Sequence, residues 1–424
     1  MASALLIRGA RQLLTLRGPG GPRRGPALQD LHLIPDGAVL IRNGVIEDVG
    51  PGRRVESLAA ARDADVIDAT GRVVMPAFVD VETSLVHAHP SPETLNRLLS
   101  ASGASVDPYS LPPDAPRDAL EDSAKLLAGL SSNTLRRRSA GIMRRMARYG
   151  TGTVESRAGY ALGESDILKV LRVQNEHRDA PVDLISTLLL KQTAGADPVE
   201  WVRWVTEELL AKVRKRRLAK FIDLEYDREA IPPPLLMRIF YAASELGFGL
   251  KLHSEHLALT SAVSTAVRWG ALSVANFRSV TDEDIQMLAA SSTLAVFKPG
   301  YLLQAGLSYP APFRRMMEAG VIPAMGSSYH AELSSGYNMQ LMLMLACRLY
   351  QMTPEEAISS ATINAAFAIG AEESVGSIEC GKQADVLILS ISDYREVAYY
   401  SGVNMVETMV KRGQLLDDRD AVID

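Results

Sequence analysis

From Val79 onward the chain alternates short apolar strands with longer helical stretches. LISTLLL, KFIDLEY, GLKLHS, ALSVANF, TLAVFKP and VIPAMGSS read as strands, and the segments Trp201 to Arg217 and Pro233 to Leu246 read as helices between them. A strand that is always followed by a helix must pair in parallel with its successor, because the helix carries the chain back to the starting edge. Sustained over about 280 residues, this pattern has a natural closure, the (β/α)8 barrel, with its loops gathered at the C-terminal strand ends. The two ends of the chain have a different texture. GAVLIRNGVIEDVG is a strand, an Asn43-Gly44 turn and a second strand, since Asn-Gly accepts the positive φ angles of a tight hairpin. DVIDATGRVVMP continues the β pattern, and after Ile369 GSIECGKQADVLILS and VETMVKRGQLL return to it. The expected architecture is α/β: a (β/α)8 barrel over residues 76–370, plus a small β-sandwich made jointly by residues 1–75 and 371–424.

Finer features come from local chemistry. LLIRGARQLLTL reads as a strand pair, and the Ser-, Pro- and Ala-rich stretch from Pro90 to Asp122 reads as a long loop over the barrel mouth. Thr353, Pro354 and Glu356 form the start of a helix, with an N-cap, a proline in the first turn and a capping-box acid. Trp201 and Trp204 are expected to pack the barrel, and Tyr399 and Tyr400 the C-terminal segment.

Composition excludes several function classes. Net charge is −5 with both signs spread through the chain, which argues against a nucleic-acid binder. The basic runs Arg136-Arg137-Arg138 and Lys212 to Arg217 have helical surroundings and read as solvated faces. No apolar run reaches membrane-spanning length. The basic N-terminus is interrupted by Arg8 and Arg11 and does not read as a targeting segment. Two cysteines, Cys347 and Cys380, suit a reduced compartment, so a cytoplasmic location is expected; a homodimer stays open.

Seven segments together give the chain a family likeness: VIDATGRVVMPAFVD, YGTGTVESRAGYAL, ELGFGLKLHSE, TDEDIQMLAASSTLAVFKPG, MTPEEAISSATINAAFAIG, VGSIECGKQADVLIL and DYREVAYYSGVNMVETMVKRG. The sequence resembles the amidohydrolase superfamily and, within it, the imidazolonepropionases, which open a five-membered imidazolone ring. The resemblance implies a barrel with its site at the C-terminal strand ends. It also implies one catalytic zinc or iron, held by a His-x-His pair on strand one, a histidine on strand five and an aspartate on strand eight, with a further histidine after strand six.

Carried over residue by residue, that site is almost wholly substituted. The His-x-His pair becomes Glu82 and Ser84, the strand-six histidine Asn276, and the strand-eight aspartate Ser328, while the strand-five histidine survives as His253. A substrate-contacting tyrosine survives as Tyr160, a substrate-contacting histidine aligns with Gln192, and a glutamate beyond strand five aligns with His256. Glu82 and Ser84 share one side of their strand if Val79 and Val81 face out toward helices. A catalytic zinc ordinarily takes three protein ligands, and serine and asparagine are poor ones. No metal and no other cofactor is therefore expected. His87 and His89 have ligand spacing but lie past the strand end; His330, two residues past Ser328, could enter the cavity, and Lys191 could offer a cation in place of the metal, although its strand parity opposes Gln192.

The residues support three functional expectations. The first is a pseudoenzyme that binds a small molecule in the barrel mouth through Tyr160, Gln192, His256, Asn276 and Ser328. The second is a hydrolase of cyclic amide carbon–nitrogen bonds with a rebuilt site, either with Glu82 as base at a raised pKa and His253 as acid or electrophile, or with a metal held by Glu82, His253 and one of His256 or His330. The third is a scaffold subunit for a catalytic paralogue.

Overall fold

The computed structural model describes residues 4–18, 20–101, 115–160, 162–178, 180–192, 195–227, 230–254, 262–275, 280–304, 312–330 and 334–416. The N-terminal segment contributes β1 (Ala4–Leu14), β2 (Leu33–Arg42), β3 (Val45–Pro51), β4 (Asp65–Asp68) and β5 (Val73–Pro76). The middle of the chain contributes β6 (Phe78–Thr83), β7 (Thr151–Ala158), β8 (Asp183–Leu190), β9 (Phe221–Glu225), β10 (Gly249–His253), β11 (Ser273–Ala275), β12 (Leu294–Phe297) and β13 (Ile322–Met325). The C-terminal segment adds β14 (Val386–Leu389), β15 (Val406–Lys411) and β16 (Gln414–Leu415).

Strands β6 to β13 form one parallel sheet in sequence order. Its first and last strands meet. Asp80 accepts hydrogen bonds from the Ser327 amide and hydroxyl at 2.7 and 2.6 Å, and the Ser84 amide donates to Tyr329 O at 2.7 Å. Gly326 sits at this seam, where a Cβ would fall inside van der Waals distance of the Val81 carbonyl. The expected barrel is therefore present. Its outer residues, among them Val154, Leu188, Ile222, Leu224, Leu250 and Val274, pack against helix residues such as Val202, Leu209 and Phe240.

Strands from both termini share the second sheet, in the order β16-β15-β14-β5-β1-β2-β3 with β4 on β1. The Asn43-Gly44 hairpin forms, with φ of 53° and 80° at the two turn residues, as a type I′ turn requires. Lys411 ties this sheet to the barrel base. Its Nζ lies 2.6 Å from Asp385 and 2.8 Å from Asp183, and it donates to Gly152 O.

Two local expectations are corrected. LLIRGARQLL is one strand with a bulge, not a pair: pairing with β2 shifts between Ile7 and Ala10, and Gly9 takes φ of 71° against Thr70. The stretch from Pro90 to Asp122 is not a loop throughout. Pro92–Ala101 and Ala115–Ala128 are helices, in keeping with leucine and alanine at helical spacing. Thr353 does cap Pro354–Ala361, with both capping-box bonds made. Cys347 and Cys380 are both free. No described helix is long and apolar enough to cross a membrane.

Candidate functional site at the barrel mouth

The end of β6 does not keep strict alternation. Glu82 has φ of 60°, and pairing with β7 shifts between Asp80 and Thr83. Val79 and Val81 do not face the helices as expected. They pack inward with Ala275, Leu294, Val296, Ile322 and Ala324. The left-handed residue turns the chain, so Glu82 also reaches the interior. Its backbone is pinned on both sides: the amide donates to Glu155 Oε2 at 3.0 Å, and the carbonyl accepts from Arg157 at 3.1 Å and from Ser328 Oγ at 3.4 Å. Backbone strain of this kind persists only where the surroundings hold it, and it concentrates at functional sites.

Around Glu82 the strand ends assemble a buried charge network. Lys298, the residue after β12, places Nζ 2.5 Å from Glu82 Oε2. Arg157 on β7 lies 3.6 Å from the same oxygen and 3.0 Å from Asp223 Oδ2 on β9. Asp223 Oδ1 is 2.9 Å from His253 Nδ1, and Glu225 Oε2 is 3.6 Å from His253 Nε2. Lys191 closes the chain at 2.8 Å from Glu225. Below this layer Lys251 pairs with Glu155 at 2.6 Å, and Thr187 donates to the same carboxylate.

Proton affinities reflect the pairing. Burial alone would raise Glu82, but Lys298 and Arg157 outweigh it and hold the carboxyl below its ordinary value. The expectation of a raised Glu82 pKa is thereby corrected: its two cations come from distant strands that no local pattern links to it. Burial opposes charge on His253 as well, yet Asp223 and Glu225 push it up to about 9. Asp223 is held far down, burial being outweighed by His253 and Arg157. Glu225, likewise buried but paired with His253 and Lys191, is lowered to about 2. At neutral pH these shifts leave Glu82, Asp223 and Glu225 as carboxylates and His253 protonated.

Tyr160 stands above these charges. Lys191 Nζ lies 5.6 Å and the Arg157 guanidinium 5.9 Å from its ring centroid, and the His330 ring meets it edge-on at 5.2 Å. Ser84, His87, Arg157, Tyr160 and His330 line a cavity of about 30 Å³, room for a water-sized group. Glu82 Oε2, Ser84 Oγ, Arg157 Nε and His253 Nε2 are buried without a hydrogen-bond partner among the described residues, so the close Lys298–Glu82 approach is an ion pair and not an aligned hydrogen bond.

The expected site residues are thus divided. Glu82, His253, Tyr160 and Ser328 come together at the mouth. Gln192 is half-buried, and its amide donates to Ala196 O within its own loop at 2.8 Å. Lys191 takes the place beside Tyr160, because β8 ends at Leu190 and strand parity no longer governs the residues beyond it. His256 and Asn276 lie outside the described residues. His87 is buried, with Nδ1 3.1 Å from the Ser84 and Leu85 carbonyls. Among the described residues no three His, Cys, Asp or Glu side chains are gathered as a metal-binding group.

Sequence reasoning missed Arg157, Asp223, Glu225 and Lys298. Three were findable: Asp223 and Glu225 are two apart at the end of FIDLE, and Lys298 directly follows the apolar run TLAVF. A charged residue at the C-terminal end of a barrel strand points at the site.

Comparison with known proteins agrees with this architecture. The amidohydrolase family matches residues 310–416. An imidazolonepropionase of Symbiobacterium thermophilum is 35% identical over 99% of this chain and 98% of its own length. Those of Deinococcus radiodurans and Geobacillus kaustophilus are 34% and 32% identical, covering 98% and 97% of this chain and 100% and 97% of their own. Among solved structures, a triazine hydrolase variant superposes with a TM-score of 0.73 at 15% identity, covering 97% of this chain and 94% of that one. Guanine deaminase of E. coli gives 0.70 at 15% identity over 98% and 99%. An adenosine deaminase of Xanthomonas campestris with bound zinc gives 0.67 at 18% over 97% and 92%. The structural likenesses speak to fold alone; with the full-length sequence matches, they make this chain a member of the amidohydrolase family, homologous to the imidazolonepropionases.

Proposed function

We propose that this chain is a metal-independent member of its family that binds a small molecule at the barrel mouth and does not hydrolyse it through a metal-bound water. The observation that carries the reading is the ion pair at the end of β6, where Lys298 Nζ lies 2.5 Å from Glu82 Oε2. A cation supplied by the chain itself already holds the carboxylate that replaces the family's first ligand.

The residues present do not fit a divalent ion. Glu82 is shared by two cations, Lys298 and Arg157. His253, held protonated between two carboxylates, has no lone pair to offer, since metal ligation requires the neutral ring. Ser84 and Ser328 are poor donors to zinc. Three carboxylates already face three fixed cations and a protonated imidazole, so an added dication would enter a network with no excess negative charge.

What supports ligand binding is the set of buried donors facing the mouth. Ser84 Oγ and the Arg157 side chain both line the cavity, and neither Ser84 Oγ nor Arg157 Nε has a partner among the described residues. Buried polar atoms are ordinarily satisfied, and the cavity has room for a water-sized group, so the acceptor is a water or a single polar group at the end of a ligand. Tyr160 and Ser328 are proposed to contact the ligand together with Gln192; roles for His256 and Asn276 rest on the family likeness alone. The test offers imidazolone, hydantoin and lactam compounds with and without added zinc. Calorimetric binding of at least one, without turnover and unchanged by zinc, is expected; zinc-dependent hydrolysis of any of them overturns the reading.

A second reading, hydrolysis with His253 as general acid, is favoured by one feature. The imidazolium is charged at neutrality, and its Nε2 has no hydrogen-bond partner among the described residues. Metal-free turnover that is abolished in Glu82→Gln and in His253→Gln would establish it.

A further inference from the structure

We infer that Lys298 is a tethered stand-in for the family's metal ion, a specificity-determining residue that keeps divalent cations out of this pocket. The inference rests on the metal-independent reading above and goes beyond it by naming the residue that enforces the exclusion.

Phe297, the last residue of β12, turns outward against Phe313 and Tyr350. Alternation then directs Lys298 to the other side, into the mouth. Pro299 opens the helix Pro299–Gln304 immediately afterward, which fixes the residue between two regular elements. The side chain is only 11% exposed, and its ammonium lies 2.5 Å from Glu82 Oε2. The Glu82 backbone is in turn held by bonds to Glu155, Arg157 and Ser328, which fix the point from which its carboxylate reaches the ammonium.

An ammonium in this position satisfies the charge of Glu82 as an ion would. It carries one positive charge and no vacant orbital, so it neither polarises a carbonyl as a Lewis acid nor generates hydroxide from bound water. It is also covalently attached, so a metal ion must compete against a fixed, high effective concentration of the ammonium. A divalent ion can engage Glu82 only after expelling a buried ammonium, which must then find another partner or lose its charge.

The exclusion can be tested by supplying the missing donor. Ser328 Oγ is 3.4 Å from the Glu82 backbone carbonyl, so a carboxylate introduced at this position adds a donor beside Glu82, and His253 can join them only by giving up its proton to the entering ion. Full-length Ser328→Asp and Ser328→Asp/Lys298→Met proteins are titrated with Co2+, following visible d–d absorbance and calorimetric heat, with wild type alongside and melting curves to verify folding. Lys298→Gln replaces Lys298→Met if the latter does not fold.

The expected result is that the double variant binds one equivalent of Co2+ at least tenfold more tightly than Ser328→Asp alone, with the intense absorbance of low coordination number. Equal affinity in the two variants, or no binding by a folded double variant, overturns the role of Lys298 while leaving the metal-independent reading intact. Stoichiometric Co2+ binding by wild type overturns that reading instead. A purely structural role for Lys298 would change the melting temperature without changing Co2+ affinity, and that outcome also counts against the inference.

Discussion

At the scale of single residues, the Glu82–Lys298 pair decides the character of the site. Glu82→Gln leaves a nearly buried ammonium without its carboxylate. Removing one partner of a buried ion pair costs about 3–5 kcal/mol. Denaturant unfolding should show a loss of that size, and Glu82→Gln/Lys298→Met should recover part of it because both charges then leave together; unchanged stability in the single variant would contradict the pairing. His253 makes a pH-dependent prediction. Its pKa is raised from an ordinary 6.5 to about 9, so the folded state binds this proton more tightly than the unfolded chain does. The stabilisation is complete below about pH 6.5 and is lost as pH rises through 9. Unfolding free energy should fall between pH 7 and 9 in wild type, and His253→Gln should flatten that slope; equal slopes would remove Asp223 and Glu225 as the cause. Much of this network is hidden in the sequence. Glu82, Tyr160 and His253 are legible because a family pattern points to them. Lys298 could have been found from its place directly after TLAVF, but Arg157 could not, because the pattern directs attention to ligands and away from the cations that replace them.

At the scale of elements, the strand ends were legible and the exceptions to alternation were not. The Asn43-Gly44 hairpin and the Thr353 cap formed as expected because both are local: the residues that make the turn or cap supply its angles and hydrogen bonds. The bend at Glu82 depends on Glu155, Arg157 and Ser328, residues distant in sequence, and a period-two argument cannot anticipate it. The same period-two argument points Lys191 away from the site, although its strand has already ended at Leu190. Thr353→Ala should cost about 1 kcal/mol, the usual worth of an N-cap, measured as a shift in denaturant midpoint. Gly326→Ala should cost more, because the added Cβ meets the Val81 carbonyl where β13 closes on β6 and backbone cannot move aside as a side chain does. A Gly326→Ala protein as stable as wild type would mean that the seam is looser than described.

At the scale of the whole molecule, the barrel was predictable from strand–helix alternation and the terminal sheet from the β texture of both ends. The connection between them was not, because Lys411 and Asp385 of the C-terminal segment meet Asp183 of the barrel across more than 200 residues and no local pattern links them. Their buried network, together with Leu387, Leu389, Met405 and Met409 in the main core, predicts that sheet and barrel unfold in a single transition. Two resolved calorimetric transitions would contradict this. The fold is common to many hydrolases and does not by itself confer their chemistry. Everything at the mouth turns on whether the chain's own cations have displaced the family's metal, and the most direct measurement is elemental analysis of the full-length protein purified without chelators from medium supplemented with zinc, iron and manganese. Far less than one equivalent of any transition metal per chain is predicted. One equivalent of zinc or iron, retained through dialysis, would contradict it.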